Sequence, residues 1–463
     1  MLIRFGVSNH RSIRKYQELV FTATSLKDSE VGLIPVLSSL SAESSQTSPK
    51  STLRLVPVVA IYGANAAGKS TVLNAFDFFV NGIAWSHDRT ASKKGTPYNP
   101  FLLDSDSRKI PSIYDADIVI GDTRYHYGYA IDGESIVSEW LYSFSLSSSR
   151  QTKTVLFHRS KKEDKQFYFG KTLKGDNKRI ANLVRPNSLF LSAAAQNSHP
   201  HLQPIYDFFC DKITRRIDET SNILLGSVSE QLTAYFKDDD VRRKKALSFV
   251  RAADIGIADF DFSKQPIGEK QKNILHDFEL LLAKHIQDPD LSKVFDGKDE
   301  KVKVELLHLG ESDKNFPIPL KDESSGTLSL LQLLGPIFSR LSDGGVLIVD
   351  ELNITLHPLV SRELIKLFSS PKTNPGKAQL VFTTHDTSML VSGLLRRDQI
   401  WFAEKDRFGA TSIYSLSSIK VRSSDNLEKG YITGRFGAVP LFGIRSSDFK
   451  RIGIASDLDE GAI

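Results

Sequence analysis

The spacing of apolar and polar positions divides the chain into two stretches of alternating strand and helix around a middle of another kind. Near the start "LIRFGV" alternates as a short strand, and the β-branched run "LVPVVAIYG", residues 55–63, predicts a buried strand leading straight into a glycine-framed loop. Beyond it Val72, Leu73, Ala75, Phe76 and Phe79 recur at helical spacing, so strand, loop and helix follow in order. From 113 to 160 the period is two, with "GDT" and "DGES" as turn signals, which predicts antiparallel strands. "SLFLSAAA", residues 188–195, also reads as strand-like. Residues 200–300 read as mixed helices, among them "SEQLTAYFKDDDVRRKKALSFVRAA" and "EKQKNILHDFELLLAKHI", too short and irregular for a long heptad coiled coil. The strand "KVKVELLHLG" and a hairpin-like connection through "GESDKNFPIPL" return the chain to β/α alternation in "GVLIVDE", "SRELIKLFSS", "AQLVFTTH" and "QIWFAEKD". Residues 38–53 hold seven serines and a proline, too little apolar surface to offset ordering, and are expected to form an exposed, mobile loop.

A length of 463 residues allows two or three compact units. With 40% apolar and 25% charged residues, and no uninterrupted apolar run of 18, a soluble globular protein without a membrane span is expected. The N-terminus lacks signal-peptide features and the single Cys210 excludes an internal disulfide framework, so a cytoplasmic location is expected. The net charge of +5 says less than its distribution: from Arg150 to Arg185 eleven Lys and Arg face three acids. Together with Phe157, Phe167, Tyr168 and Phe169 this segment could track a nucleic-acid backbone, although a solvated hairpin with a charged outer face is the favoured reading. No Cys/His cluster points to structural zinc.

The chemistry concentrates in four strings. Gly63, four residues, Gly68, Lys69 and Ser70, with Asn65 inside and Thr71 following, satisfy the phosphate-loop pattern. In that pattern backbone amides cradle phosphates, the lysine reaches the β/γ oxygens and the hydroxyl binds Mg²⁺. "GGVLIVDE" ends a buried strand in Asp350 and Glu351; the first suits a magnesium ligand, the second a base for an attacking water. "VFTTHD" ends a second apolar run in His385, placed to meet a γ-phosphate. "ESSGTLSLLQLL" opens a helix at Ser324, Ser325 and Gly326, whose amide-rich start suits an anion. Taken singly, each has an ordinary structural reading as a turn, a strand end or a helix cap.

In this order the four strings resemble the ABC-type ATPase heads of the RecF, SMC and overcoming-lysogenisation-defect proteins. "VSNHRSI", "IYGANAAGKST", "ESSGT", "IVDELNITLHP", "TTHDTSML", "RRDQIWFAEKD" and "NLEKGYITGRFGAVP" resemble more closely the RecF-like AAA/ABC ATPases of bacterial defence operons, the RloA and AbiL type. The resemblance spans residues 1–130 and 305–440. It implies an α/β P-loop NTPase of the ABC-ATPase head type: two lobes, a mixed sheet with flanking helices, an antiparallel β subdomain and a helical insertion. Lobe I would cover 1–200, the insertion 201–304, lobe II 305–445 and a tail 446–463. It also implies ATP and Mg²⁺ as cofactors. Lys69 and Ser70 would be the Walker A lysine and metal ligand, Asp350 the Walker B aspartate, Glu351 the catalytic base and His385 the switch histidine. Arg11 would approach the phosphates, and Ser324 to Gly326 would form a signature that closes on a second subunit's nucleotide.

Three departures mark this chain: "ESSGT" replaces leucine-serine-glycine-glycine, His357 stands where related heads often have aspartate, and no glutamine follows the first helix, which leaves Gln196 to fill that metal-linked role. After His385 no second acidic cluster suits a two-metal nuclease. An ATP-hydrolysing homodimer, or a higher assembly of dimers, regulating an effector from a neighbouring gene is therefore expected, in anti-phage defence. A RecF-like DNA-binding repair or replication ATPase and an ATP-binding scaffold of little turnover are the alternatives.

Overall fold

The computed structural model describes residues 1–26, 28–36, 53–89, 95–147, 152–163, 166–216, 228–253, 256–266, 300–311, 314–353, 356–390, 393–422 and 425–439. The serine-rich stretch (apart from Leu53), the helix expected over 269–286 and the tail 446–463 lie outside the described residues.

The strand Val58–Tyr62 is buried at every position because both of its faces are covered. Val59 and Ile61 point into one core, and Val58, Ala60 and Tyr62 into another, as the two-residue period of a strand requires. It pairs in parallel with Gln379–Thr383 on one side and Ile400–Lys405 on the other. Val346–Val349 and then Ile213–Arg216 extend the first side, and Thr411–Ser415 closes the second edge antiparallel. Parallel strands bring the ends of the glycine-loop, DE and histidine strands to one rim, where open α/β sheets bind ligands.

The period-two region forms a second, seven-stranded sheet with antiparallel neighbours throughout, running from Phe167–Phe169 through Leu2–Ser8 to Gln17–Val20. Helix Lys69–Arg89 is buried between the two sheets. Phe79 stacks on Tyr129 with ring centroids 5.5 Å apart and meets Phe209 edge-on at 5.3 Å. Each such side chain removed from water contributes about 1.5–3 kcal/mol, so this helix, and the loop before it, are firmly seated. The chain thus has a two-sheet, helix-flanked α/β architecture with an antiparallel β subdomain.

Two sequence expectations change, and the favoured hairpin reading of the basic segment gains detail. Residues 188–195 do not extend as a strand: Phe190–Gln196 is a helix. Its start is set by Glu139, whose buried carboxylate accepts from the amides of Phe190 (2.6 Å) and Leu191 (3.0 Å) and from the Tyr127 hydroxyl (2.9 Å). That partner is fifty residues away in sequence, so the local pattern could not show it. Residues 201–304 are not wholly a helical insertion. Ile213–Arg216 joins the parallel sheet, Gln203–Asp211 packs in the first core, and Ile257–Pro266 pairs with Glu300–Leu309. The helical run there is split at Asp239, whose carboxylate caps Asp240–Ala252 by accepting from the amide of Arg242 (2.8 Å). The basic hairpin Thr154–Ser160 and Phe167–Phe169 turns its phenylalanines inward: Phe157, Phe167 and Phe169 lie 4.9, 5.6 and 5.2 Å from Phe190. Among the described residues no helix is long and apolar enough to cross a membrane.

Candidate nucleotide site

The loop from Gly63 to Gly68 is folded by close approach to the strands beside it. A Cβ at Gly63 would lie 2.5 Å from the carbonyl of Ala403, and one at Gly68, where φ is +101°, would lie 2.1 Å from Thr411 Oγ1. Lys69 opens the helix with only 5% of its surface exposed. Its ammonium donates to the carbonyls of Gly63 and Ala64 (both 3.1 Å) and to His385 Nε2 (3.0 Å). Lysine can only donate, so Nε2 accepts and the imidazole proton sits on Nδ1. Burial, and then the charge of Lys69, hold His385 below its ordinary pKa, which keeps the ring neutral. Burial likewise lowers Lys69, against the attraction of Glu351 and Asp350.

The acidic tip is aligned by its neighbour strand. Thr383, at the end of Gln379–Thr383, donates its hydroxyl to Asp350 and accepts from the amide of Glu351 (2.7 Å). This one hydroxyl locks the turn that follows Val349. Glu351 itself takes φ +50°, and its carboxylate lies 4.0 Å from His385 Nε2.

A cavity of about 480 Å³ opens over these groups, lined by Arg11, Asn65, Gly68, Lys69, Ser70, Thr71, Glu351 and His385 among the sequence candidates, and by Ser12, Ala66 and Lys405 besides. Arg11 (+47°), Ala66 (+60°) and Glu351 hold left-handed backbone without being glycine. Such residues cost about 1–3 kcal/mol each and gather where structure is held for function. Asp350 stands just behind the lining, close enough that its charge acts on both Lys69 and His385. The Ser70 side chain makes no hydrogen bond among the described residues, and with the Asp350 carboxylate it offers the hard oxygen donors that Mg²⁺ takes. A second cavity of about 470 Å³ lies elsewhere, and two of its three arginines are already taken up: Arg397 by Asp28 (2.8 Å) and Arg396 by Asp398 (2.7 Å).

Ser12, Thr411 and Thr383 were missed by sequence reasoning. Ser12 Oγ donates to Thr71 Oγ1 (3.1 Å) and lies 2.8 Å from Thr411 Oγ1, which donates to the carbonyl of Ala67 (3.0 Å). Ser12 and Thr383 sit inside the quoted strings "NHRS" and "VFTT", whereas no local signal marks Thr411.

Ser324, Ser325 and Gly326 are not brought to the cavity of their own chain. Ser324 caps helix Ser325–Asp343, its Oγ accepting from the amide of Thr327 (3.0 Å), and both serines are exposed. His357 is a helix cap as well, its ring accepting from the amide of Leu359 (3.3 Å) ahead of Pro358–Ser369. Gln196 as a metal ligand is corrected. It ends helix Phe190–Gln196, whose Ser192 Oγ accepts from the amide of His87. His87 lies eighteen residues along the first helix from Lys69, about 27 Å at helical rise. Cys210 is no nucleophile, since burial raises its thiol to about 11.

The sequence profile of the family described as "AAA domain, putative AbiEii toxin, Type IV TA system" matches residues 58–391. A search among curated proteins finds no match. Among solved structures the chain is similar to an SMC head bound to the C-terminal winged-helix domain of ScpA, at 12% identity and TM-score 0.41, with 89% of this chain and 97% of that one covered. The SMC head domain from Thermotoga maritima is similar at 11% identity and TM-score 0.39, covering 91% and 99%.

Proposed function

The chain belongs to this AAA-domain family, and from that premise we propose that it binds MgATP in the cavity over Lys69 and hydrolyses it, with nucleotide-driven pairing of two copies controlling a partner effector. The observation that carries the reading is one cluster assembled from three distant segments: a lysine at a glycine loop, a carboxylate on a positive-φ turn and a neutral histidine. The Lys69 ammonium spends its donors on two loop carbonyls and His385. A triphosphate competes for that ammonium and draws it into the cavity. Mg²⁺ held by Ser70 and Asp350 would neutralise phosphate charge. Glu351 takes the proton of the water whose oxygen attacks the terminal phosphorus, and ADP leaves with the bridging oxygen. His385 senses the terminal phosphate because its ring already faces Lys69 and Glu351.

The exposed start of helix Ser325–Asp343, away from its own cavity, supports a role for Ser324 to Gly326 on the nucleotide of a second copy. The family's description names a toxin–antitoxin system, which supports action with a neighbouring gene's product in defence against phage. The DNA-binding alternative gains little from the basic hairpin: Phe157, Phe167 and Phe169 pack against Phe190, which leaves Tyr168, 56% exposed, as the one aromatic of the four free to stack on a base. Replacing Glu351 with Gln tests the reading: turnover falls at least about 100-fold while MgATP remains bound and the dimer accumulates in light scattering. Unchanged turnover would remove Glu351 from the mechanism.

A further inference from the structure

Lys405 ends the strand Ile400–Lys405 in direct register with Thr411 on the neighbouring strand. Directly opposed residues present their side chains on the same face of a sheet. The Thr411 side chain faces the glycine loop, since it donates to the carbonyl of Ala67 and occupies the space a Cβ on Gly68 would need. Lys405 therefore projects toward the same loop, and it lines the cavity beside Arg11, Ser12 and Thr71.

Its acidic neighbours leave the charge free. Glu404 alternates to the opposite face, where it accepts from the Tyr414 hydroxyl (3.2 Å). Asp406 spends its carboxylate on the turn amides of Phe408 (2.8 Å) and Ala410 (2.9 Å). Among the described residues Lys405 makes no ion pair, and it is exposed at the cavity's rim. An uncompensated ammonium directed at a phosphate cradle is not explained by packing.

We propose that Lys405 binds the nucleotide's phosphate chain, on the wall opposite the hydrolytic groups; this rests on the nucleotide reading above. The strand order gives the side. Val58–Tyr62 is flanked by Gln379–Thr383, which leads to His385 and aligns Glu351, and on its other side by Ile400–Lys405. Lys405 and the Ser12 and Thr71 side chains thus face phosphates that stay with the nucleotide, whereas Glu351 and His385 face the one transferred. Lys405 then sets affinity for ADP as much as for ATP, and the backbone strain at Arg11 and Ala66 belongs to the same wall.

Isothermal titration of the full chain with MgADP and with MgATP tests this. The Lys405→Ala variant should weaken both by the same factor, about 10- to 100-fold, as expected for loss of a charge-assisted hydrogen bond. The Lys405→Arg variant should recover most of that loss by keeping the charge. Dissociation constants within twofold of the parent for both nucleotides would overturn the assignment. So would a loss confined to ATP, which would put Lys405 at the transferred phosphate. If the parent chain binds neither nucleotide, the nucleotide reading itself fails, which is distinct from a failure of Lys405 alone.

Discussion

Two charged clusters, each containing carboxylates, basic groups and one histidine, lie on the two sheets, and they differ in how completely their partners are satisfied. On the antiparallel sheet Asp115, Asp117 and His126 place three possible metal donor atoms within 4.8 Å of one another. Every one of them is engaged. Asp115 takes Arg4 (2.5 Å) and the Tyr16 hydroxyl (3.0 Å), and Asp117 takes Arg4 (3.2 Å), Arg124 and His126 Nδ1 (2.6 Å). His126 Nε2 accepts from the Trp140 indole (3.0 Å), which places the ring's proton on Nδ1. Burial opposes ionisation of Asp117, yet the His126 hydrogen bond and the arginine charges prevail and hold it below the usual carboxylate range. On the parallel sheet Lys69, Glu351 and His385 open onto a cavity, over strained backbone, with Lys405 uncompensated. Closure marks the first cluster as scaffold; an open cavity with an uncompensated Lys405 marks the second as the place for a ligand.

That contrast breaks if the two clusters respond alike to mutation. The largest expected effect is on the closed one. Asp117→Ala leaves Arg124 without its buried carboxylate and Arg4 with Asp115 alone, and should cost about 3–5 kcal/mol in urea unfolding, while a correctly folded fraction still binds nucleotide. Loss of nucleotide binding with unchanged stability would reverse the assignment. Lys69→Ala should do the opposite, lowering ATP affinity about 100-fold in titration with little change in the urea midpoint.

A smaller effect sharpens the comparison at the link between the clusters. His10 precedes Arg11 of the cavity and meets Tyr114 on the scaffold strand at 2.8 Å, with its buried Nε2 lacking a hydrogen-bond partner among the described residues. Burial, then Arg11, lower His10 from 6.5 to about 4. The folded state thus holds fewer protons than the unfolded one below pH 6.5. The stability that depends on neutral His10 is complete above pH 6.5 and is lost as pH falls toward 4, by about 3 kcal/mol. Stability curves at several pH values should show that limb in the parent chain and a reduced one in His10→Gln. An identical limb in both would place the acid sensitivity elsewhere.

The chemistry was more legible in the sequence than the scaffold that aims it. "GANAAGKS", "VLIVDE" and "TTHD" mark the residues that meet at the cavity by residue type and local spacing, because a buried strand ending in polar residues reads the same way alone as in the fold. Their supports act at long range and leave no periodic trace. Thr411 reaches Gly68 across more than three hundred residues, and Glu139 starts a helix that three alanines and a leucine run could not distinguish from a strand. The strand Ile213–Arg216 was hidden for another reason: two arginines in four residues look like surface, yet Arg215 bonds Asp77 (2.7 Å) at the sheet edge.

The most direct test of the central claim is calorimetric titration of the purified full chain with ATP in the presence of Mg²⁺. The structure predicts saturable heat that is strongly reduced by Lys69→Ala and preserved in Asp117→Ala molecules that remain folded. Absence of heat in the parent chain, or equal heat in parent and Lys69→Ala, would contradict it.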